Sequence, residues 1–143
     1  MYQDILVPTD GSDASTAAID HAVSLAATYD AHIHALYVVE QGVYAPLDLE
    51  TAMIEEALET EGEAAVAAVA DAAEDAGVEV QTGVVEGDVR DTILDYAEAN
   101  DVDLIVIGTH GRRGVDRYLL GSVTEQVVRS SPVPVLTVRA ADS

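Results

Sequence analysis

Leu104-Ile105-Val106-Ile107-Gly108-Thr109-His110-Gly111-Arg112-Arg113-Gly114, running on to Gly121-Ser122-Val123-Thr124-Glu125, is the stretch that decides the fold. Its four consecutive apolar residues are what a strand covered on both faces needs, and such strands sit in the middle of parallel sheets. A glycine-spaced loop follows at once, and a helical pattern follows the loop. Strand, loop and helix in that order make half of a βαβ unit.

Working outward, the same alternation fills the chain. Strand candidates are Ile5–Val7, Ala31–Val39, Val78–Val85, Leu104–Ile107 and Val133–Val138, with helical stretches near 13–29, 51–76, 89–99 and 122–130. Ile5-Leu6-Val7 is continuously apolar, like the fourth strand, so these two are expected at the centre. The third alternates Val78, Val80, Thr82 and Val84 with Glu79, Gln81 and Gly83. The fifth carries Pro134, which cannot donate to a ladder, so these two are expected at the edges. The result is an α/β fold: a single domain over residues 1–143, with an open parallel five-stranded sheet ordered 3-2-1-4-5 and helices on both faces.

The helices carry recognisable faces and starts. Ala14, Ala18, Ala22, Leu25 and Tyr29 align on the first, Ala65, Ala68, Val69 and Ala72 on the second, and Val89, Ile93 and Ala97 on the third. Asp88 is placed to cap the third helix, and Ser122 with Glu125 has the form of a capping box.

Composition narrows the function. The 143 residues include 27 acidic and six basic side chains, for a formal net charge of −21; all six basic residues are arginine. So negative a surface repels phosphate backbones and anionic lipid, which argues against broad nucleic-acid or membrane binding. Screening by concentrated salt makes it tolerable, so a salt-rich cytoplasm is the expected setting. No signal-type segment opens the chain at Met1-Tyr2-Gln3-Asp4, and no apolar run spans a bilayer. Without cysteine there is no disulfide or thiolate metal site, and without lysine there is no P-loop or Schiff-base chemistry. A receiver domain also lacks its usual lysine here. Asp10-Gly11-Ser12-Asp13-Ala14-Ser15 does not match the Ser-Gly-Gly-x-Asp-Ser loop of ATP pyrophosphatases.

Ligands of open parallel sheets bind beyond the carboxyl ends of the strands, where successive connections leave in opposite directions. Two loops meet there: Pro8-Thr9-Asp10-Gly11-Ser12 after the first strand, and the loop after Ile107. Glycines let backbone N–H groups approach an anion, and a helix start adds unpaired N–H groups. Arg112, Arg113 and Arg117 put three of the six cations beside this loop. They suit phosphate, although surface pairing with nearby carboxylates accounts equally well for any single one. His110 reads as a structural loop residue, and His21, His32 and His34 form no zinc-like set with it.

Gly108, Gly111, Gly121 and Ser122 form G-x2-G-x9-G-S after an apolar strand. Together with Pro-Thr-Asp at the end of the first strand, this resembles the universal stress protein family along nearly the whole chain. The segment GTHGRRGVDRYLLGSVTEQVVRSSPVPVLTV is the most specific part, and the glycine pattern is that of the family's ATP-binding branch. The resemblance implies an adenine nucleotide α-hydrolase-like fold that holds ATP or AMP, with Mg or Mn on the phosphates. It places Asp10 at the ribose and the Val38 backbone at adenine, with Pro8 and Thr9 also among the nucleotide-binding residues. Gly108, Gly111 and Arg112 would line the ribose and phosphates, and Gly121, Ser122 and Val123 would cradle the distal phosphates. It also implies a homodimer paired through the last strand.

No nucleophile–base–acid arrangement stands near the γ-phosphate position, so nucleotide binding without turnover ranks above catalysis. A slow ATPase or autokinase, with Asp10 or Asp13 assisting a divalent ion, is one alternative. A dimeric interaction module that binds no nucleotide is the other.

Overall fold

The way each apolar run is covered dictates the architecture. The computed structural model describes residues 2–11, 13–40, 48–109 and 116–139. Its elements run β1 (Asp4–Pro8), α1 (Asp13–Tyr29), β2 (His32–Glu40), α2 (Asp48–Asp75), β3 (Val80–Gly87), α3 (Val89–Ala99), β4 (Leu104–Gly108), α4 (Asp116–Ser130) and β5 (Val135–Val138). They build one sheet ordered β3-β2-β1-β4-β5, with each of its four pairings parallel. The expected order is the observed one. Ile5 lies between Ile33 of β2 and Leu104 of β4, so the two continuously apolar strands are neighbours at the centre.

Side-chain alternation divides these strands between two cores. Ile5, Val7, Ile33 and Val106 face α1 and α2, where Ala18, Ala22, Val66 and Val69 meet them. Leu6, Leu36, Ile105 and Ile107 face the other way, against Ile93 of α3 and Val127 of α4. Burial on both faces is why β1 and β4 show no polar alternation. Among the described residues no helix is long and apolar enough to cross a membrane.

Several expectations need correction. The buried face of α1 is Ser15, Ala18, Ile19, Ala22 and Ala26; Leu25 is half-buried and Tyr29 is exposed. In α2, Ala65, Val66, Val69 and Ala73 are buried, while Ala68 is exposed and Ala72 half-buried. Both helices carry alanine all round, so the stripe that faces the sheet is set by the larger Ile19, Val66 and Val69. The last strand starts at Val135, because Pro134 has no N–H; its carbonyl still accepts a bond from Ile105 N–H at 3.0 Å.

The α4 helix starts at Asp116, six residues before Ser122, so Ser122 and Glu125 lie inside the helix and the expected capping box does not fall at its start. Asp-Arg-Tyr-Leu-Leu ahead of Gly121 is compatible with helix, and one glycine costs about 1 kcal/mol without ending it. The third helix starts as expected, with the Asp88 carboxylate accepting the N–H of Asp91 at 3.0 Å.

Candidate functional site

At the carboxyl ends of β1, β2 and β4 the sheet stops unevenly. Thr9 N–H donates to the Leu36 carbonyl at 2.9 Å, the last rung between β1 and β2. Main-chain groups of alternate strand residues point to the same side, so Val38 presents its N–H and C=O towards β1 just past that rung. The Val38 side chain, half-buried, packs against the α3–α4 core instead. This leaves a strand end with main-chain donors and acceptors suited to a flat heterocycle.

Residues 8–11 turn away from β1 in a hydrogen-bonded bend. Pro8 and Thr9 are buried, while Asp10 and Gly11 are exposed. Gly11 N–H donates to Thr9 Oγ1 at 3.2 Å, and Gly11 has φ of +82°, which suits glycine. Ser15, buried in the first turn of α1, holds Asp10 from both sides. Its Oγ donates to Asp10 Oδ1 at 2.8 Å and accepts the Asp10 N–H at 3.2 Å. The carboxylate just past the carboxyl end of β1 is therefore fixed in place.

Helix α2 walls the same end. A side chain at Gly62 would meet the Tyr37 ring at 2.6 Å, so glycine is what lets α2 lie flat on that ring. Tyr37 O–H donates to Glu61 Oε1 at 3.2 Å. Burial, then Glu61 and more weakly Asp10, push the Tyr37 phenol from its ordinary 10.0 up to about 12, so it remains a donor at physiological pH.

On the β4 side, Gly108 is the last strand residue and pairs with Val138. Its carbonyl accepts the buried Thr124 hydroxyl at 3.0 Å, which ties α4 to the end of β4. Val123, half-buried, packs into the α3–α4 core, and its backbone lies inside α4.

The structure thus gathers Pro8, Thr9, Asp10, Val38 and Gly108 at one end of the sheet. Gly121 and Ser122 fall within α4, as does Arg117. Gly111, Arg112, Arg113 and His110 lie outside the described residues. Ser15 and Thr124 were missed as site-supporting residues. Ser15, five residues after Asp10 and at a helix start, was the signal available for the first. Nothing local distinguishes Thr124.

A parallel α/β sheet whose central strands end in an acidic bend and a glycine is the architecture in which small ligands bind at a topological switch point. The matched family fits that class: residues 1–139 match the universal stress protein family, and the chain belongs to it. Universal stress protein MJ0531 of Methanocaldococcus jannaschii is 41% identical over 141 residues, covering 97% of this chain and 83% of that protein. Among solved structures, universal stress protein UspA from Lactobacillus plantarum superposes with a TM-score of 0.81 at 34% identity, covering 96% of this chain and 98% of that one. A universal stress protein solved in complex with cAMP superposes with a TM-score of 0.76 at 27% identity, covering 98% and 99%.

Proposed function

We propose that this chain is a regulatory protein of the ATP-binding branch that holds ATP or AMP at the carboxyl ends of β1, β2 and β4, with little or no turnover. The observation that carries the reading is Asp10. Its carboxylate is fixed by Ser15 just past the carboxyl end of β1, the strand towards which Val38 of β2 turns its backbone. A fixed carboxylate accepts ribose hydroxyl protons, and a free strand end matches the edge of adenine. The cAMP complex of a relative supports an adenine nucleotide as the ligand class.

On this reading Pro8 and Thr9 shape the bend under the ribose. Gly108, Gly111 and Arg112 line the path to the phosphates, and Gly121, Ser122 and Val123 meet their far end from within α4. Mg or Mn would ride on the phosphates with Asp10 in reach, offsetting the charge of an anion held by a protein of net charge −21. The setting is a salt-rich cytoplasm, where screening relieves carboxylate repulsion. The protein is a homodimer through β5, whose edge carries the exposed Leu136 next to Val135 and Thr137. Nucleic acid and membrane are not partners.

Calorimetry at molar potassium chloride with magnesium or manganese tests the reading, together with mass spectrometry of the ligand released from purified protein. ATP or AMP should bind the wild type, and Gly121→Val should lose that binding. Failure of the wild type to bind any adenine nucleotide, or unchanged affinity in Gly121→Val, would refute it.

A further inference from the structure

At the opposite end of the sheet, on the α3 face, a line of polar side chains crosses four elements. His34, 4% exposed, lies over the first residues of β1 and β2. Its Nε2 is 3.0 Å from Asp4 Oδ1, and its Nδ1 is 2.9 Å from the Tyr96 hydroxyl on α3. Gln81 Nε2 on β3 is 3.3 Å from the same hydroxyl, and Gln81 Oε1 is 3.2 Å from Nε2 of His32. Nδ1 of His32 is 3.5 Å from Glu79 Oε1 at the rim. Beyond Asp4, the Asp103 carboxylate accepts the N–H groups of Gln3 and Asp4.

Donor counting allows one direction of bonding when His34 is neutral. Asp4 accepts, so Nε2 of His34 carries the hydrogen and Nδ1 must accept. Tyr96 O–H therefore donates to Nδ1, Gln81 Nε2–H donates to the phenol oxygen, and His32 Nε2–H donates to Gln81 Oε1. Burial raises the Tyr96 phenol above its ordinary range, against a smaller lowering by the Gln81 bond and with a still smaller raising by the Asp4 carboxylate, so it keeps the hydrogen this pattern needs.

A proton taken from solvent at Nδ1 of His34 removes the acceptor. Nδ1–H then donates to Tyr96, whose O–H turns towards Gln81. The Gln81 amide turns over to present its oxygen, and its nitrogen donates to Nε2 of His32. That nitrogen can accept only if the hydrogen of His32 sits on Nδ1, facing Glu79. One N–H bond forms at His34, one hydrogen exchanges through solvent between the nitrogens of His32, and no other bond changes. An imidazolium at His32 would instead donate from Nε2 and favour the first direction. With ring centroids 5.1 Å apart, two imidazolium rings also repel.

We propose that His32, Gln81, Tyr96, His34 and Asp4 form a two-state proton switch at the amino ends of β1, β2 and β3, in which proton uptake by buried His34 reverses the chain and resets the tautomer of His32 at the surface. The titratable groups facing His34 among the described residues are Asp4 of β1, His32 of β2 and Tyr96 of α3, with Glu79 and Asp103 one step further out. The reading is independent of the ligand at the other end of the sheet.

Nitrogen-15 NMR of the histidine rings in the full chain, titrated downward from pH 8 at molar potassium chloride, tests it. In the wild type both rings should start with hydrogen on Nε2. As His34 takes up its proton, the two ring-nitrogen signals of His32 should exchange character in the same step, with a matching shift of the Gln81 side-chain amide. Tyr96→Phe, and Gln81→Leu as a cut at the exposed edge, should leave His34 able to take up the proton while the tautomer of His32 no longer changes in that step. A His32 signal in the wild type that ignores His34 would overturn the proposal. So would an unchanged linkage in both variants, or no proton uptake by His34 before unfolding.

Discussion

The two ends of the sheet use polar residues in opposite ways. At the carboxyl ends, Asp10 and Gly11 are turned outward, and Ser15 and Thr124 spend their hydroxyls fixing a carboxylate and a carbonyl of the crevice. At the amino ends, His34, Asp4, Tyr96 and Gln81 are turned towards one another. Exposed, pre-oriented groups favour a ligand and contribute little to folding. Groups buried and mutually paired contribute specificity to the fold, and leaving one unpaired is costly. The comparison teaches that outward-turned polar groups gather at one end of the strands and polar groups turned towards one another at the other.

The largest expected effect comes from cutting the amino end. His34→Leu leaves Asp4 and Tyr96 without their shared partner and should lower stability by about 1–3 kcal/mol in denaturant titration. ATP affinity by calorimetry should stay at the wild-type value. A variant that loses nucleotide binding while its fold holds would break the division between the ends.

Next is Gly62→Ala, where the new methyl meets the Tyr37 ring. Overpacking outweighs the gain in helix propensity, giving a net loss of about 1–2 kcal/mol. Thermal unfolding reads it directly, and a more stable variant would mean that α2 does not rest on Tyr37. Thr124→Val is smaller: loss of the bond to Gly108 should cost about 1 kcal/mol. Because that bond orders the end of β4, nucleotide affinity should fall as well, the reverse of the His34 outcome.

The smallest effect is at high pH. With the Tyr37 phenol raised from 10.0 to about 12, the folded state holds this proton more tightly than the unfolded chain. Its stabilisation is fully present below pH 10.0 and is lost as pH rises towards about 12. Tyr37→Phe should flatten that part of the stability profile, and an identical slope in the variant would remove Tyr37 as its source.

How much of this was legible in sequence depends on range. Ile5-Leu6-Val7 and Leu104–Ile107 announced central strands because burial on both faces removes polar alternation, and Pro134 marked an edge because it lacks a donor. That Asp10 and Gly108 come to the same end of neighbouring strands was legible because it follows from strand order. The faces of α1 and α2 were legible in part: Ala18, Ala22, Leu25, Ala65, Val69 and Ala72 pack on the core, while Tyr29 and Ala68 do not, since alanine at so many positions blurs the edges of the stripe. His34 looked like an unattached histidine; its partners Asp4 and Tyr96 lie 30 and 62 positions away, and only the sheet register brings them together.

The Asp103 grip on Gln3 and Asp4 spans 100 residues, and this has a consequence for how the molecule is made. β1 is translated early, yet its second neighbour, β4, is synthesised about 100 residues later; at ~5–20 residues per second that is a wait of roughly 5–20 s. During that interval β1 can pair with β2 but has an open flank of apolar backbone. Non-local pairing of this kind slows folding, so the step expected to limit maturation is the insertion of β4 beside β1. A nascent chain stalled shortly before residue 104 should be markedly more sticky, and more dependent on chaperones, than one released complete.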